Sequence, residues 1–461
     1  MNFQKNHMKK QNRIICLYHK NDTMTTDSAL AFEKNGCHVL HIILKENKQG
    51  LISFEPVKII KQTLNFKPDI IFFLNSFGQD KECNLLKAFS ILKIKTVSWF
   101  IDNPFYYKTH IDNMSTLNNF FCFSWDSFYI PLLKNINITN TFYLPQATNP
   151  ERFQSSYVIT KDEEKDFKHK ITFAGNLDLN VLNSILSKTL TKTTLPDNII
   201  YLIIEECSKQ VLAKQDTATF EIIDNYLKIN NLDKELSQHT YSLAKIIEYK
   251  LSIFFRVELA KALKNMPFAI WGEKKDWEKV ISKVPLLGRV SYFKNIPKVY
   301  KGSEINLNIS RTQQRYGTNQ RVFDVPACKS FLISDYKKEL EDLFDIGKEI
   351  IVFHDMQDLK NKLIYYSDEK KRLPVIEDGF SRIMNNHTYR HRMQEVLKIT
   401  RTHKLIPENL NDDKNFQAML WIASAFIERK EIPQALNYLK IIGKKAKYAT
   451  IVSDLLTKYN L

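Results

Sequence analysis

The sequence predicts an α/β protein with two Rossmann-like domains built on parallel sheets, a helical insertion in the second domain and a helical C-terminal tail. Strand-length apolar runs alternate with helix-length segments, as expected for βαβ units. Many of these runs are almost continuously apolar, which is typical of strands covered on both faces. At 461 residues, with 44% hydrophobic and 12% aromatic content, the chain can form two or three packed domains.

Residues 1–150 are expected to form the first domain. Six apolar runs predict its strands, and the segments between several of them have the length and pattern of helices. The strands are expected at 13–18, 38–44, 69–74, 96–101, 119–123 and 141–144.

Two candidate general bases lie at predicted strand ends of this domain. Asp102 follows the run TVSWFI and precedes Asn103 and Pro104, so its carboxylate is placed where open α/β sheets bind ligands. His19 follows the first run, and a neutral imidazole suits proton abstraction near pH 7. The alternative for Asp102 is a structural role in capping the turn, and the alternative for His19 is a surface-loop position without a catalytic role.

A second domain is expected over 165–385. Its first strand, ITFAG, ends at Gly175, where a glycine permits close approach of the backbone to a phosphate or base. Residues 177–262 lack period-2 alternation and are predicted to be a helical insertion between the first and second strands. There is no G-x-G-x-x-G motif, which disfavours a dinucleotide cofactor.

The stretch 303–354 contains the most specific pattern. Two β runs, EINLNI and SFLIS, flank a polar loop and the segment RVFDVPAC. Arg311 and Arg321 border this loop, and guanidinium groups suit a diphosphate because they bind pairs of oxygens. Asp324, three residues after Arg321, can face the same site if the segment is helical, and a carboxylate can bind two adjacent ribose hydroxyls. The alternative is a local Arg321–Asp324 ion pair.

This stretch resembles the nucleotide-binding half of the CgeB-like (spore maturation protein) glycosyltransferases, relatives of the group 1 enzymes. The matching run is N-x-S, G-x-N-x-R-V-F-D-x-x-A-C, F-L-I-S-D, G-K-E-I-I-V-F-x-D and then H-T-Y-x-H-R at 387–392. The resemblance covers about 90–400 and is strongest over 290–392. It implies a GT-B fold, in which two Rossmann-like domains face a cleft.

The same resemblance implies the donor-binding residues. It places Gly272, Gly317 and Asn319 beside the donor and makes Asp324 the ribose ligand, where the family has a glutamate. Lys329 stands where the family has the glycine of A-C-G. The resemblance also includes an acid-x-Pro-Phe turn at Asp102 and a domain linker at 144–153.

No Asp-x-Asp pair is present where a metal-dependent transferase would hold a diphosphate through a divalent ion. We therefore expect no metal site and no cofactor, with a nucleotide-diphosphate sugar as donor substrate. Arg311, Arg321 and a helix N-terminus are expected to offset the charge of its phosphates.

The C-terminal part is predicted to be helical. One long helix is expected over Glu377–Lys398, and residues 386–404 are expected to form a cross-over helix back to the first domain. Residues 408–461 resemble one tetratricopeptide-like hairpin, whose apolar face must dock on the enzyme, a twin subunit or the acceptor.

Composition restricts location and partners. The net charge of +16 comes from lysines spread along the chain. It reflects either a surface that attracts nucleic acid or anionic membrane, or simply a lysine-rich composition; no nucleic-acid-binding motif is present. The six cysteines lack metal-ligand spacing, which favours free thiols in a reducing compartment. The N-terminus is polar and no apolar run is long enough to span a membrane. We therefore expect a cytoplasmic protein with at most peripheral membrane contact.

The sequence therefore predicts a metal-independent glycosyltransferase that uses a nucleotide-sugar donor and a protein or cell-surface glycan acceptor. The alternative is a non-catalytic nucleotide- or carbohydrate-binding scaffold of a surface-glycosylation complex. A nucleic-acid binder is the third hypothesis. Donor identity, inversion or retention of configuration, and oligomeric state are left open.

Overall fold

The computed structural model describes residues 11–45, 54–292 and 294–459. The chain divides into two compact units. The first contains the chain up to Trp125, Tyr129–Leu144 and the chain from Tyr389 onward, and the second contains Asp126–Phe128 and Pro145–Thr388. The polar N-terminal segment lies, up to residue 10, outside the described residues.

The first unit contains a parallel sheet that has, among the described residues, six strands in the order β2-β1-β3-β4-β5-β6. The strands and the helices between them alternate along the chain. They are β1 Arg13–His19, α1 Thr23–Lys34, β2 His38–Leu44, α2 Pro56–Phe66, β3 Ile70–Leu74, α3 Asn84–Ile91, β4 Lys95–Phe100, a 3-10 turn Pro104–Tyr107, α4 Lys108–Met114, β5 Phe120–Ser124, α5 Tyr129–Asn135 and β6 Thr141–Tyr143.

The central strands form where they were predicted because their side chains are buried on both faces. Every residue of β3 and β5 is buried. Asp22 caps α1 by accepting a hydrogen bond from the Thr25 amide at 3.0 Å. The chain order reverses between β1 and β3, which makes their carboxyl ends the ligand-binding position expected for such a sheet.

The second unit contains a second parallel sheet, again of six described strands, in the order β12-β11-β10-β7-β8-β9. Its helical segments include the predicted insertion. The elements are α6 Lys161–Phe167, β7 His169–Ala174, α7 Leu179–Leu190, α8 Asp197–Ala213, α9 Thr219–Ile229, α10 Asp233–Leu236, a 3-10 turn Ser237–His239, α11 Thr240–Leu263, β8 Phe268–Trp271, α12 Lys274–Trp277, β9 Leu286–Gly288, α13 Ile296–Gly302, β10 Ser303–Asn308, α14 Arg321–Ala327, β11 Leu332–Asp335, α15 Leu340–Leu343, β12 Ile351–Phe353, α16 Met356–Tyr365 and α17 Glu369–Asn386.

The insertion is helical, as predicted, and spans α7–α11. It has a core of its own, in which aliphatic side chains of α8, α9 and α11 such as Ile203, Ile223 and Ile247 are buried. Phe255 on α11 contacts this core and also the core of the sheet, so α11 joins the insertion to the strands. In this sheet the order reverses between β7 and β10.

The remaining helices belong to the first unit. They are α18 Tyr389–Thr402, a 3-10 turn Asp413–Asn415, α19 Phe416–Glu428, α20 Ile432–Gly443 and α21 Ala446–Lys458. No helix of the described residues is long and apolar enough to cross a membrane.

The expectation of one helix over Glu377–Lys398 is wrong, because α17 ends at Asn386 and α18 begins at Tyr389. Contacts distant in sequence stop the helix at this point. The His387 imidazole lies 3.0 Å from the Leu343 carbonyl oxygen, and the His387 carbonyl accepts a hydrogen bond from the Thr148 amide.

From Pro145 onward, the linker predicted at 144–153 packs into the second unit, where Phe153 is fully buried.

The apolar face of the C-terminal hairpin docks on the first unit itself. Helix α19 packs against α2 and α3, and its buried residues include Met419, Ile422 and Phe426. The Phe54 and Trp421 rings meet edge to face at 5.8 Å. The sequence left open whether the hairpin docks on the same chain, on a twin subunit or on the acceptor. In the structure it docks on the first unit of the same chain.

All six cysteines are buried free thiols, as their apolar surroundings predicted. Burial raises the pKa of the Cys83 and Cys207 thiols to about 12. A thiol with so high a pKa forms little thiolate and is a poor nucleophile. These side chains therefore serve as small apolar groups in the cores.

Replacement of Ile422 by alanine tests the docking of the hairpin. Ile422 is fully buried, so Ile422→Ala should lower the free energy of unfolding of the first unit by about 2–4 kcal/mol. Urea unfolding followed by tryptophan fluorescence measures this loss. Ile451→Ala on α21, where the isoleucine is 43% exposed, is the control and should change stability by less than about 0.5 kcal/mol. Equal effects would contradict the docking.

Candidate functional site

Arg321 lies at the point where the strand order of the second sheet reverses. Its guanidinium donates hydrogen bonds to the Ala174 carbonyl, at the end of β7, and to the Asn308 side-chain oxygen, at the end of β10. The Arg321 Nε is buried and has no hydrogen-bond partner among the described residues. Arg321 therefore connects the two strand ends between which ligands bind in open α/β sheets.

Asn319 fixes the loop that leads into α14. Its side-chain nitrogen donates to the Asn308 side-chain oxygen at 2.7 Å, and its side-chain oxygen accepts from the Arg321 amide at 3.0 Å. Because both bonds converge on Asn308 and Arg321, Asn319 positions the guanidinium at the start of the helix.

Arg311 is the second predicted arginine, and the structure places it on the loop after β10. Its guanidinium pairs with Asp178, which lies just after β7, and stands 5.5 Å from the Tyr249 ring centroid. Since β7 and β10 are neighbouring strands, Arg311 and Arg321 belong to the same edge of the sheet.

A third arginine, Arg256, comes from helix α11 of the insertion. Its guanidinium donates to the Asn176 carbonyl, and its buried Nε has no partner among the described residues. The Phe173 ring lies beneath two of these cations, at 5.4 Å from Arg321 and 5.9 Å from Arg256. We call Arg256, Arg311 and Arg321 the arginine cluster.

The cluster is electrostatically suited to an anion. Burial, together with the charges of Arg311 and Arg321, lowers the pKa of Arg256 to about 9, whereas Asp178 and Asp335 act in the opposite direction. The guanidinium stays charged at neutral pH, but its desolvation and its like-charged neighbours make that state less favourable. A bound diphosphate would offset this repulsion.

The sequence pointed to Arg311 and Arg321 but not to Arg256. It lies in an apolar run of the insertion, FFRVEL, far along the chain from both. The available signal was a single cation within that run, because a charge on a buried helix face needs a partner or a function.

Asp324 is fully buried on α14, and its carboxylate accepts a hydrogen bond from the Tyr292 hydroxyl at 2.7 Å. Tyr292 follows β9 and was not predicted as a site residue. The phenol donates to the carboxylate in the way the sequence analysis expected of a ribose hydroxyl.

Three predicted glycines lie where a side chain would be crowded. A Cβ on Gly175 would come within 2.7 Å of the Phe173 ring, and one on Gly317 within 3.1 Å of Asp126. A Cβ on Gly272 would overlap the Gly175 carbonyl oxygen, which already accepts a hydrogen bond from the Trp277 indole at 3.0 Å. These glycines therefore allow the close packing that shapes the edge of the sheet.

Lys329 stands where the CgeB-like resemblance has a glycine, and it follows α14 with a φ of 51°. Glycine adopts this left-handed conformation at little cost, and other residues adopt it less readily. The Lys329 side chain pairs with Glu377.

In the first unit, Asn75 holds Asp102 in place. Asn75 follows β3, and its side-chain nitrogen donates to the Asp102 carboxylate at 3.1 Å. Its side-chain oxygen accepts from the Ile101 and Asp102 amides at 2.9 and 3.3 Å. Asn75 was missed by the sequence analysis, although a polar residue directly after a buried strand was the available signal.

His19 ends β1, on the other side of the reversal in strand order. Its ring lies 5.4 Å from the Phe77 ring, and its Nδ1 accepts from the Asn21 amide at 3.3 Å. Because β1, β3 and β4 are consecutive in the sheet, His19 and Asp102 lie at the same carboxyl edge, with Asn75 between them in strand order.

Residues 254–398 match the family model described as "Glycosyl transferase-like". The match begins within α11, at the residues that include Arg256, and contains the whole arginine cluster and Asp324. The glycosyltransferase predicted from the sequence is confirmed at the level of this family match, and the finer CgeB-like assignment stays a prediction.

Several solved structures resemble the chain at low identity. Sucrose-phosphate synthase from Thermosynechococcus elongatus is 9% identical, with a TM-score of 0.47 over 85% of this chain and 99% of its own. Anabaena Alr3699/HepE in complex with UDP-glucose is 9% identical, with a TM-score of 0.48 over 85% and 100%. A glycosyltransferase from Rickettsia africae is 12% identical, with a TM-score of 0.43 over 86% and 99%.

These similarities are distant, with every TM-score below 0.5. No curated protein matches the chain.

Substitution of Gly272 tests the packing of the site. Gly272→Ala should lower the stability of the second unit by about 1–3 kcal/mol, because its methyl group would overlap the Gly175 carbonyl. Thermal unfolding measures the effect. Gly443→Ala is the matched control, since the nearest atom to its added Cβ lies 3.8 Å away. A Gly272→Ala protein as stable as the control would show that the carbonyl can move aside.

Proposed function

We propose that the protein transfers a sugar from a nucleoside-diphosphate sugar to a hydroxyl group of its acceptor. The observation that carries this proposal is the arginine cluster at the point of strand reversal in the second sheet. Three guanidinium groups meet there, and two of them have a buried Nε–H with no partner among the described residues. A diphosphate is the ligand that such donors fit best.

The donor would bind with its diphosphate on the arginine cluster and its ribose towards Asp324. In this proposal a ribose hydroxyl takes the place of the Tyr292 hydroxyl on the Asp324 carboxylate. Tyr292 follows β9 and is only partly buried, so it can move away from the carboxylate when the nucleoside enters.

The leaving diphosphate would be stabilised by the protein's own cations rather than by a divalent ion. Negative charge develops on the diphosphate as its bond to the anomeric carbon breaks. Fixed guanidinium groups aimed at that charge stabilise the transition state more than the ground state. Arg321 is held in advance by Ala174 and Asn308, so little reorganisation is needed.

Asp102 is the proposed general base for an inverting reaction. Its carboxylate would take the proton of the acceptor hydroxyl while that oxygen bonds to the anomeric carbon and the nucleoside diphosphate leaves. Asn75 orients the carboxylate through the hydrogen bond to Oδ2. His19, at the same edge of the sheet, is the second candidate. In a retaining reaction Asp102 would orient the acceptor instead.

The CgeB-like resemblance supports a protein or a cell-surface glycan as the acceptor. A non-catalytic scaffold is the competing function, and nucleotide binding without transfer would be its signature.

Nucleotide binding by arginine variants tests the donor site. Titration calorimetry with UDP, GDP, dTDP, CDP and their sugars, with and without a divalent metal or chelator, measures affinity. Arg321→Met and Arg256→Met should each weaken the best ligand by about 10–100-fold, the loss expected for one or two hydrogen bonds to a charged group. Binding should be unchanged by the chelator.

Arg401→Ala, which removes an exposed arginine of α18 in the first unit, is the control and should bind like the wild type. If no nucleotide binds the wild type, or if the cluster variants bind as tightly as the control, the donor site is not the arginine cluster.

Asp102→Asn tests the general base. The variant should bind the donor normally but lose at least about 100-fold in kcat, because an amide cannot accept the proton. Asp102→Glu should restore part of the rate. His19→Asn is the parallel variant. The product's anomeric configuration, determined by NMR, shows whether the reaction inverts. Unchanged kcat in Asp102→Asn would exclude Asp102 as the base.

A further inference from the structure

A cavity of about 590 Å³ lies in the second unit at the carboxyl ends of β10, β11 and β12. Ser310, Asp335 and His354, which end or follow these strands, form its floor. Helices α8 and α11 of the insertion form the opposite wall. The arginine cluster lies between β7 and β10, so the cavity occupies the neighbouring part of the same sheet edge.

One loop separates the cavity from the arginine cluster. Ser310 and Thr312 line the cavity, whereas Arg311 between them points to Asp178 and belongs to the cluster. Helix α11 is shared in the same way, since Phe254 and Phe255 line the cavity and Arg256 joins the cluster. A ligand in the cavity would therefore lie beside a donor bound at the cluster.

The cavity is preformed because the insertion is tied to its rim. Arg315 donates hydrogen bonds to the Lys214 and Thr217 carbonyls, and the Tyr316 hydroxyl donates to Asp216 at 2.8 Å. The Thr312 amide donates to the Ser252 hydroxyl at 2.9 Å. These bonds hold the helices at a distance from the strand ends, so the space between them stays open.

The lining combines aromatic and aliphatic side chains with polar ones. Phe254 and Leu212 are large apolar side chains that remain 49% and 42% exposed at this concave surface. The Tyr336 and His354 rings lie 4.9 Å apart at an angle of 35°. Such a mixture of apolar faces with a few placed polar groups is typical of small-molecule sites.

The lining has no surplus of positive charge. Its two cationic residues, Arg315 and Lys337, are outnumbered by the acidic residues Glu258, Asp335 and Asp355, and none of the three cluster arginines lines the cavity. This lining does not favour a nucleotide or another polyanion, which needs a surplus of cations. It fits an uncharged ligand whose hydroxyl groups can both donate and accept hydrogen bonds and whose C–H faces can lie on aromatic rings.

We propose that this cavity binds a neutral saccharide, the part of a glycan acceptor that is held next to the donor. Its role as an acceptor site rests on the proposed function, but saccharide binding itself does not. On this proposal the helical insertion is the specificity element of the enzyme, because α8 and α11 supply the apolar wall.

A screen of neutral mono- to tetrasaccharides against the full-length protein tests the proposal, followed by calorimetry on the best binder. Phe254→Ala removes an aromatic face, and Leu212→Trp fills the cavity without removing a contact. Both should weaken saccharide binding at least tenfold and leave nucleotide affinity within twofold of the wild type. Ile229→Ala, which trims a 74% exposed side chain of α9 outside the cavity, is the control.

The outcomes separate this proposal from the donor-site proposal. Arg321→Met should weaken the nucleotide but not the saccharide. Saccharide binding that is lost in Phe254→Ala, in a protein that binds no nucleotide, would support the cavity and reject the donor site. Three results would each overturn the saccharide proposal. They are a wild type that binds no saccharide, a Phe254→Ala variant that binds it as tightly as Ile229→Ala does, and a Phe254→Ala variant that loses nucleotide binding.

Discussion

The hydrogen bonds of Arg321 to the ends of β7 and β10 are the interaction on which the candidate site depends. A doubly wound sheet separates its loops where the strand order reverses, and a cation that bonds both strand ends holds this gap in a fixed shape. The Phe173 ring beneath the guanidinium and the missing side chain at Gly175 make room for it. Packing and charge are thus adjusted to each other at one position.

The insertion completes the site that the sheet begins. A Rossmann-like sheet of this order needs no long insertion after its first strand, yet α11 brings Arg256 to the cluster and fixes it on the Asn176 carbonyl. Burial and the neighbouring cations Arg311 and Arg321 make the charged form of Arg256 less favourable, and the diphosphate that we propose as ligand would compensate this cost.

Features that follow from local sequence could be predicted. Apolar runs indicated the strands and the insertion lacked their alternation, and polar residues after the strands marked the carboxyl edge of each sheet. These residues are Arg311, Arg321, Asp102 and His19. Asn75 follows a buried strand and carries the same signal, but its role, like those of Arg256 and Tyr292, could not be predicted because it comes from contacts across tens of residues. The break between α17 and α18 was missed for the same reason. No proline or glycine marks it, and the His387 contacts that stop the helix involve Thr148 and Leu343.

Helix α11 has a further consequence, because it presents Arg256 to one site and Phe254 to the other. Two residues apart on a helix correspond to a rotation of about 200°, so these side chains leave on nearly opposite faces. Any shift of the helix that improves one site alters the other. If one ligand changes the affinity for the second by some factor, thermodynamic linkage requires the second ligand to change the affinity for the first by the same factor. Any coupling between the proposed nucleotide and saccharide sites would therefore pass through this helix.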